Sequence, residues 1–152
     1  MTLPRHHLNA SPLILAICKQ DWLPKETLAR LVSWRMRYDV IDFITRGSPP
    51  LHIDVVDNYV PKDKYLVSNP RELLPRFHAI RDDGHTVKVA RSFLIAQEAS
   101  EKYPSAPWIR FRSNSTWLKA HYLLLDSTEA YETRWIFSAG FDEQWNDVPQ
   151  LT

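Results

Sequence analysis

The sequence predicts a mainly α-helical protein, and three observations support this prediction. Only three glycines occur in 152 residues, and few stretches alternate apolar and polar residues, which argues against an all-β fold. Several segments instead repeat apolar residues at helical spacing. The chain is 44% hydrophobic and 12% aromatic, which is enough for a core. We expect a single helical domain over residues 1–152, a multi-helix orthogonal array with a long central loop and an irregular, aromatic-rich C-terminal tail.

The first two helices are predicted at 12–20 and 24–46. Ser11 followed by Pro12 is a typical helix start, with a capping residue and then a first-turn proline. The run LILAI that follows is apolar on nearly every side, so we expect this helix to be buried. The second helix should end before Gly47, because glycine often occupies the left-handed position after a helix.

The middle of the chain is the least regular part. Residues 48–68 show no lasting period and are predicted to be a long loop, with a short extended piece at 52–56. Pro75 should disturb or split the helix that follows. Three further helices are predicted, at 70–80, 83–102 and 115–125. The tail is irregular but contains several aromatic residues, namely Trp135, Phe137, Phe141 and Trp145.

Composition argues against several classes of function. The formal net charge of +1 gives no support for binding nucleic acid, which needs clustered basic charge. No apolar run approaches the ~20 residues of a membrane span, and the first residues lack the apolar core of a signal peptide. Cys18 is the single cysteine, so no internal disulfide can form and we predict a cytoplasmic location. Its apolar neighbours predict a buried thiol.

The longest helical pattern, DDGHTVKVARSFLIAQEASEKY, carries the polar group of greatest chemical interest. Asp82 and Asp83 stand where a helix N-terminus favours acids. His85, Lys88 and Arg91 follow at intervals of three, so they share one side of a helix that is otherwise largely apolar. The alternative is an ordinary first turn whose polar side meets solvent.

Standard chemical motifs are absent from the sequence. It contains no GxGxxG after a strand, no phosphate loop, no HExxH and no GxSxG. The pair His6 and His7 is a weak metal signal, because adjacent residues of a helix point in different directions. His52, His78 and His121 are isolated, and we interpret each as a surface or hydrogen-bonded core residue.

Three segments, together with a turn, resemble one known family. HLNAS at 7–11, DGHTVKVAR at 83–91 and AGFDEQW at 139–145 occur in the order and rough spacing of motifs in the questin oxidase-like family, and RGSP at 46–49 resembles a turn of that family. The resemblance covers nearly the whole chain and corresponds to the C-terminal portion of members that are usually more than twice as long. The chain would then be a truncated product, a shortened homologue or one piece of a split protein.

The resemblance implies an oxidoreductase. The family opens anthraquinone-like aromatic polyketides by a Baeyer–Villiger type of oxidation in secondary metabolite biosynthesis, and NADPH is associated with that activity. This chain has no dinucleotide-binding fingerprint and no flavin signature. Oxygen would therefore be activated by the electron-rich substrate itself or by a metal, for which non-haem iron is the candidate.

The resemblance also implies the site. His7, His85 and Lys88 would converge on a metal, with Lys88 acting as a carbamate once burial has made its amine neutral. Lys88 and Arg91 are the candidate catalytic residues, and Arg91 would bind a carboxylate or phenolate or hold the modified lysine. Alternatively, Lys88 pairs with an acid (Asp82, Asp83 or Glu98) or extends to water.

Two other interpretations remain. In the first, the chain is a catalytically inactive helical fragment or partner-binding module of the same family. In the second, it is a helical DNA-binding module, an alternative that only the stretches WRMRY and RFRS suggest. We expect the partner to be an aromatic polyketide, with no nucleic acid and no membrane. We also expect association with an absent N-terminal half or with a second copy, through an exposed apolar patch on the helices of Leu13 and Phe93.

Overall fold

The computed structural model describes residues 5–129 and 138–146, which form six α-helices and two short 3₁₀ helices and contain no strand. The α-helices are α1 (Arg5–Ile17), α2 (Lys25–Thr45), α3 (Ile53–Asp57), α4 (Leu74–Ala79), α5 (His85–Ser100) and α6 (Asn114–Glu129). The 3₁₀ helices are Pro70–Leu73 and Asp142–Trp145. The prediction of a mainly α protein is confirmed.

The chain divides into two compact units. The first comprises Met1–Leu51 and Trp135–Thr152, and the second comprises His52–Arg134. The single domain over residues 1–152 stays a prediction. None of the helices within the two described stretches combines the length and apolarity that a membrane span requires.

In the first unit, α1 begins earlier than predicted. It starts at Arg5, and Pro12 lies inside it. Proline has no amide hydrogen, so the helix loses one backbone hydrogen bond there but does not end. The expectation of a buried helix was also wrong, since Leu13 is 64% exposed and Leu15 is 42% exposed. The thiol of Cys18 is exposed rather than buried.

The second helix of this unit has a charged inner side. No residue of α2 is fully buried, and its half-buried side carries the ion pairs Arg35–Asp39 (2.9 Å) and Arg46–Asp42 (2.5 Å). Large apolar side chains of α2 are exposed instead: Leu31, Val32, Trp34, Met36, Val40, Ile41 and Ile44. The helix ends before a glycine with φ +80°, as predicted.

The two residues around which an exposed apolar patch was predicted differ in exposure. Leu13 is 64% exposed, whereas Phe93 is 6% exposed and lies in the core of the second unit. Phe93 is buried because its ring packs against the rings of Trp117 and His121.

The second unit has a compact core where α4, α5 and α6 meet. Its fully buried members are Leu73, Phe77, Ala90, Tyr122 and Leu125. His121 is 0% exposed, and its ring nitrogens face the carbonyl oxygens of Trp117 (2.8 Å) and Ala90 (3.3 Å). The interpretation of His121 as a hydrogen-bonded core residue is confirmed.

The long central loop contains a helix that the sequence did not indicate. The segment predicted to be extended at 52–56 is largely α3, which packs on α6 and buries Val56. Hydrogen bonds to side chains of α6 hold the rest of the loop in place. Asp126 accepts hydrogen bonds from the Tyr59 hydroxyl (2.5 Å) and the Lys62 amide (3.1 Å), and the Tyr122 hydroxyl accepts one from the Val67 amide (2.9 Å).

The remaining predicted helices match the structure within a few residues. The helix predicted at 70–80 is divided as expected, because a 3₁₀ helix capped by Asn69 passes into α4 with Pro75 in its first turn. The helices predicted at 83–102 and 115–125 are α5 and α6. Trp135 and Phe137 of the predicted tail lie outside the described residues.

Candidate functional site

The start of α5 is built by Asp82 and Gly84. Gly84 adopts φ +82°, and the two carboxylate oxygens of Asp82 accept hydrogen bonds from the amides of Gly84 (2.7 Å) and Thr86 (2.8 Å). Desolvation acts to raise the pKa of Asp82, but hydrogen bonds from Thr86 and Gly84 outweigh it and leave the pKa lowered. Asp82 therefore holds the first turn in place, as a helix N-terminus requires.

His85 is the most enclosed member of the polar edge of α5, which we define as His85, Lys88 and Arg91. Its side chain is 17% exposed, and Asp83 Oδ1 lies against His85 Nδ1. The same carboxylate oxygen accepts the His85 amide at 3.3 Å. The two groups are close but not aligned as a hydrogen bond. A proton on Nδ1 would leave Nε2 as the nitrogen with a lone pair, which is the arrangement of many basic or metal-binding histidines.

Lys88 lies on the next turn with its side chain exposed. The aliphatic part of its side chain runs back along the helix towards Gly84: a Cβ placed on Gly84 would lie 3.9 Å from Lys88 Cε. Among the described residues no acid is close enough to pair with it; Glu98, one predicted partner, is paired with Arg71. The carbamate hypothesis required the Lys88 amine to be buried. In the structure the Lys88 side chain is exposed to solvent instead.

Arg91 contacts a residue that the sequence analysis set aside. Its Nη2 lies 3.2 Å from His78 Nε2 on α4. Nothing local in the sequence indicates this pair, since the two residues are 13 positions apart and meet only because α4 and α5 pack together. His78 therefore extends the polar edge of α5 beyond the residues that the sequence identified.

Behind the polar edge, the junction between α4 and α5 is held by His121. The edge-on rings of Phe77 (6.3 Å between centroids) and Phe93 (5.4 Å) enclose its imidazole, and its Nε2 faces the Ala90 carbonyl. Burial lowers the pKa of His121, and this outweighs the opposing effect of the Trp117 and Ala90 carbonyls. His121 is a support for the polar edge rather than a part of it.

The structure brings together some of the predicted site residues and leaves one assignment open. His85, Lys88 and Arg91 lie on successive turns of α5 in the second unit. His7 lies on α1 in the first unit, and its side chain is outside the described part of the chain. Within the described residues no group of three or more His, Cys, Asp or Glu side chains is arranged to hold a metal ion. The metal set of His7, His85 and Lys88 stays a prediction.

Comparison with known proteins gives one family match. The family model described as Questin oxidase-like matches residues 4–93, a stretch that includes α1 to α4 and the polar edge of α5. No solved structure matches the chain.

Three fungal proteins are similar over 96% of the chain. A questin oxidase of Aspergillus terreus is 30% identical, and the match covers 33% of that protein. A Baeyer-Villiger oxidase, ptaJ, of Pestalotiopsis fici is 29% identical over 34% of its length. The oxidoreductase AflY of Aspergillus parasiticus is 25% identical over 35% of its length. The chain thus spans about a third of the length of these relatives.

Proposed function

The chain belongs to the questin oxidase-like family, and from this premise we propose that it acts as an oxidoreductase in the Baeyer–Villiger type of ring opening of an anthraquinone-like aromatic polyketide. The names of the relatives, questin oxidase and Baeyer-Villiger oxidase, support the reaction class. The observation that carries the proposal is the polar edge of α5, which lies within the matched stretch and places an imidazole, an ammonium and a guanidinium on one side of one helix.

The reaction needs groups that handle charge and protons at oxygen. Insertion of one oxygen atom beside a ring carbonyl gives a lactone, and addition of water to that lactone gives a carboxylate and a phenol. In the proposal, Arg91 binds an anionic oxygen of the substrate with its planar fork of N–H groups. Lys88 supplies a second positive charge for the oxyanion that develops at the carbonyl. His85, oriented by Asp83, accepts a phenolic proton at Nε2.

The proposal includes a reductant, and a metal site is the alternative use of the same residues. NADPH provides the two electrons that reduce the second oxygen atom of O₂ to water. Non-haem iron, held by His7, His85 and Lys88, is an alternative to these roles, in which His85 Nε2 would be a metal ligand instead of the acceptor of a phenolic proton; the Asp83 contact of His85 fits a metal ligand, whereas the exposure of Lys88 does not fit a carbamate. We also propose a cytoplasmic location, supported by the single cysteine.

The test is oxidation of a hydroxyanthraquinone by the full chain with NADPH, with and without Fe(II). Oxygen uptake and a product heavier by one oxygen atom, or by one oxygen atom and one water, are expected. His85→Ala, Lys88→Ala and Arg91→Ala should each abolish turnover and keep the helical circular dichroism of the unaltered chain. His52→Ala is the matched control, because His52 is an exposed histidine whose Nδ1 lies 3.8 Å from an oxygen of Asp54.

Full activity in any of the three variants would remove that residue from the mechanism. Where the chain alone is inactive, the same substitutions are made at the aligned positions of an active full-length relative. Activity that survives all three changes there would refute the assignment of the polar edge of α5.

A second candidate function is favoured by the first unit. Trp34, Met36 and Ile44 are 64%, 64% and 61% exposed on one helix, which is unusual for a protein that works alone. In this alternative the chain is a non-catalytic module that associates with a partner polypeptide or a second copy of itself. Light scattering over a range of concentrations separates the two candidates: association without oxidation supports the module, and oxidation by a monomer supports the enzyme.

A further inference from the structure

His78 and Arg91 face each other across the junction of α4 and α5. Arg91 Nη2 lies 3.2 Å from His78 Nε2. A guanidinium has only donors and keeps its charge throughout the working range of proteins, so Arg91 must donate and His78 Nε2 must accept. The His78 imidazole in this contact is therefore neutral, with its proton on Nδ1.

Both side chains leave the backbone at fixed points. Phe77, next to His78, is 1% exposed and packs against His121. Ala90 and Ser92, on either side of Arg91, are 0% and 5% exposed. Two exposed side chains held on buried backbone lose less conformational freedom on pairing than two side chains on mobile segments.

The partner of Arg91 differs from the partners of Arg71 and Arg76, two other arginines of the second unit. Arg71 pairs with Glu98, and Arg76 pairs with Asp63 and Glu129. In those pairs carboxylates neutralise the arginine charge. The neutral imidazole of His78 orients the Arg91 guanidinium through a hydrogen bond and does not cancel its positive charge. Arg91 therefore keeps the charge that it needs to bind an anion.

We infer that His78 is a positioning residue that holds the Arg91 guanidinium in one orientation, so that its remaining N–H groups bind a carboxylate or phenolate oxygen of the aromatic substrate. The inference rests on the proposed function, which assigns Arg91 to the substrate. One of the five N–H groups of Arg91 is used by His78, and the others suffice for a bidentate contact with two oxygen atoms.

The first test locates the protons on the histidine rings of the full chain. In long-range ¹H–¹⁵N spectra, His78 should show a protonated Nδ1 and an unprotonated Nε2. Arg91→Ala should abolish this preference and leave the signals of His52 unchanged. This result would establish the contact between His78 and Arg91, and the binding experiment separates positioning from a purely structural role.

The second test measures binding of salicylate, a small aromatic anion, to the same chain. Arg91→Ala should abolish saturable binding. His78→Ala should weaken it about threefold to tenfold, the usual effect of one hydrogen bond. His78→Gln should restore most of the affinity, because its amide oxygen can accept from Arg91. His52→Ala is the matched control and should bind like the unaltered chain.

The inference is overturned if His78 Nε2 carries the proton, if the unaltered chain does not bind salicylate, or if His78→Ala binds it with unchanged affinity. Failure of the proposed reaction is a separate outcome. A chain that shows the expected tautomer and salicylate affinities but forms no oxygenated product refutes the reaction and supports the positioning role.

Discussion

The backbone of Gly140 crosses the backbone of Gly47 so closely that neither residue has room for a side chain. The Gly140 amide donates to the Arg46 carbonyl oxygen at 2.9 Å, and a Cβ placed on Gly47 would lie 2.9 Å from the Gly140 carbonyl carbon. The two glycines belong to the segments 46–49 and 139–145 that resembled the family in sequence. Segments almost a hundred positions apart thus meet in the first unit, and both need glycine at the crossing.

We predict that Gly140→Ala destabilises the chain by about 1–3 kcal/mol, because the added methyl group overlaps the backbone of Gly47, which cannot move aside as a flexible side chain would. The free energy of unfolding from urea titration followed by Trp fluorescence measures the effect. Gly84→Ala is a comparison rather than a neutral control: a Cβ there meets only Lys88 Cε at 3.9 Å, so this variant has no steric overlap and loses stability only through the φ of +82°. A stability of Gly140→Ala equal to that of the unaltered chain would contradict the crossing.

The contact between Tyr59 and Asp126 predicts a loss of stability at alkaline pH. Burial, together with the hydrogen bond and charge of Asp126, raises the pKa of Tyr59 above its ordinary value of 10.0. A group whose pKa is raised in the folded chain stabilises it fully below the unfolded pKa and ceases to do so as the pH rises through the folded value. Stability should therefore fall as the pH rises above 10.

Tyr59→Phe tests this expectation, because it removes the titrating hydroxyl and its hydrogen bond to Asp126. At pH 8 the variant should be less stable by about 1 kcal/mol, and this difference should shrink between pH 10 and pH 11. Urea titrations at each pH give the comparison. Tyr65→Phe, at a tyrosine that is 81% exposed, should follow the unaltered chain at every pH. A difference that stays constant across this range would argue against the contact.

His121 should make the chain sensitive to acid. Burial lowers its pKa below the ordinary 6.5, so the unfolded chain binds a proton more readily than the folded chain does. The stability that the neutral imidazole confers is present above pH 6.5 and is lost as the pH falls below it. Urea midpoints should therefore decrease between pH 7.5 and pH 5 by more in the unaltered chain than in His121→Leu.

The control for this experiment is His52→Leu, at a histidine whose side chain is 62% exposed. Its urea midpoints should change with pH as those of the unaltered chain do. Other acid-sensitive groups are common to all three proteins, so the difference between His121→Leu and the other two isolates His121. Equal pH dependence in all three would mean that His121 titrates alike in the folded and unfolded chains.

The sequence predicts α5 well because its signals are local. Asp82 caps the helix start as expected, and the apolar repeat predicts the bounds of the helix to within two residues. The burial of Phe93 was not predicted, because it depends on packing against Trp117 and His121 of α6.

The sequence predicts α3 badly because that helix depends on a distant surface: Val56 is buried only by packing on α6, and five residues carry no period. Pro12 misled the placement of α1, since a proline that begins one helix has the same local sequence as one that interrupts another.

The candidate site divides in the same way. The spacing of His85, Lys88 and Arg91 follows from the helical repeat and needs no tertiary information. Two contacts adjust these side chains. The Asp83 carboxylate turns onto His85, two residues along the chain, and packing of α4 on α5 brings His78 to Arg91. No periodicity records either contact, and a single sequence holds no other signal of them.

The third glycine of the chain allows the effect of backbone conformation to be measured without a steric clash. Gly84 has φ +82° and open space where a Cβ would be, so Gly84→Ala is opposed by the left-handed conformation alone. This costs about 1–2 kcal/mol, partly offset by the reduced entropy of the unfolded chain. We predict a net destabilisation of about 1 kcal/mol for Gly84→Ala and a smaller effect for Gly84→Asn, because asparagine tolerates this conformation. Urea titration of both variants checks the order. If Gly84→Ala is as stable as the unaltered chain, α5 does not begin with a left-handed residue. The Asp82 contacts that orient its polar edge must then be reassigned.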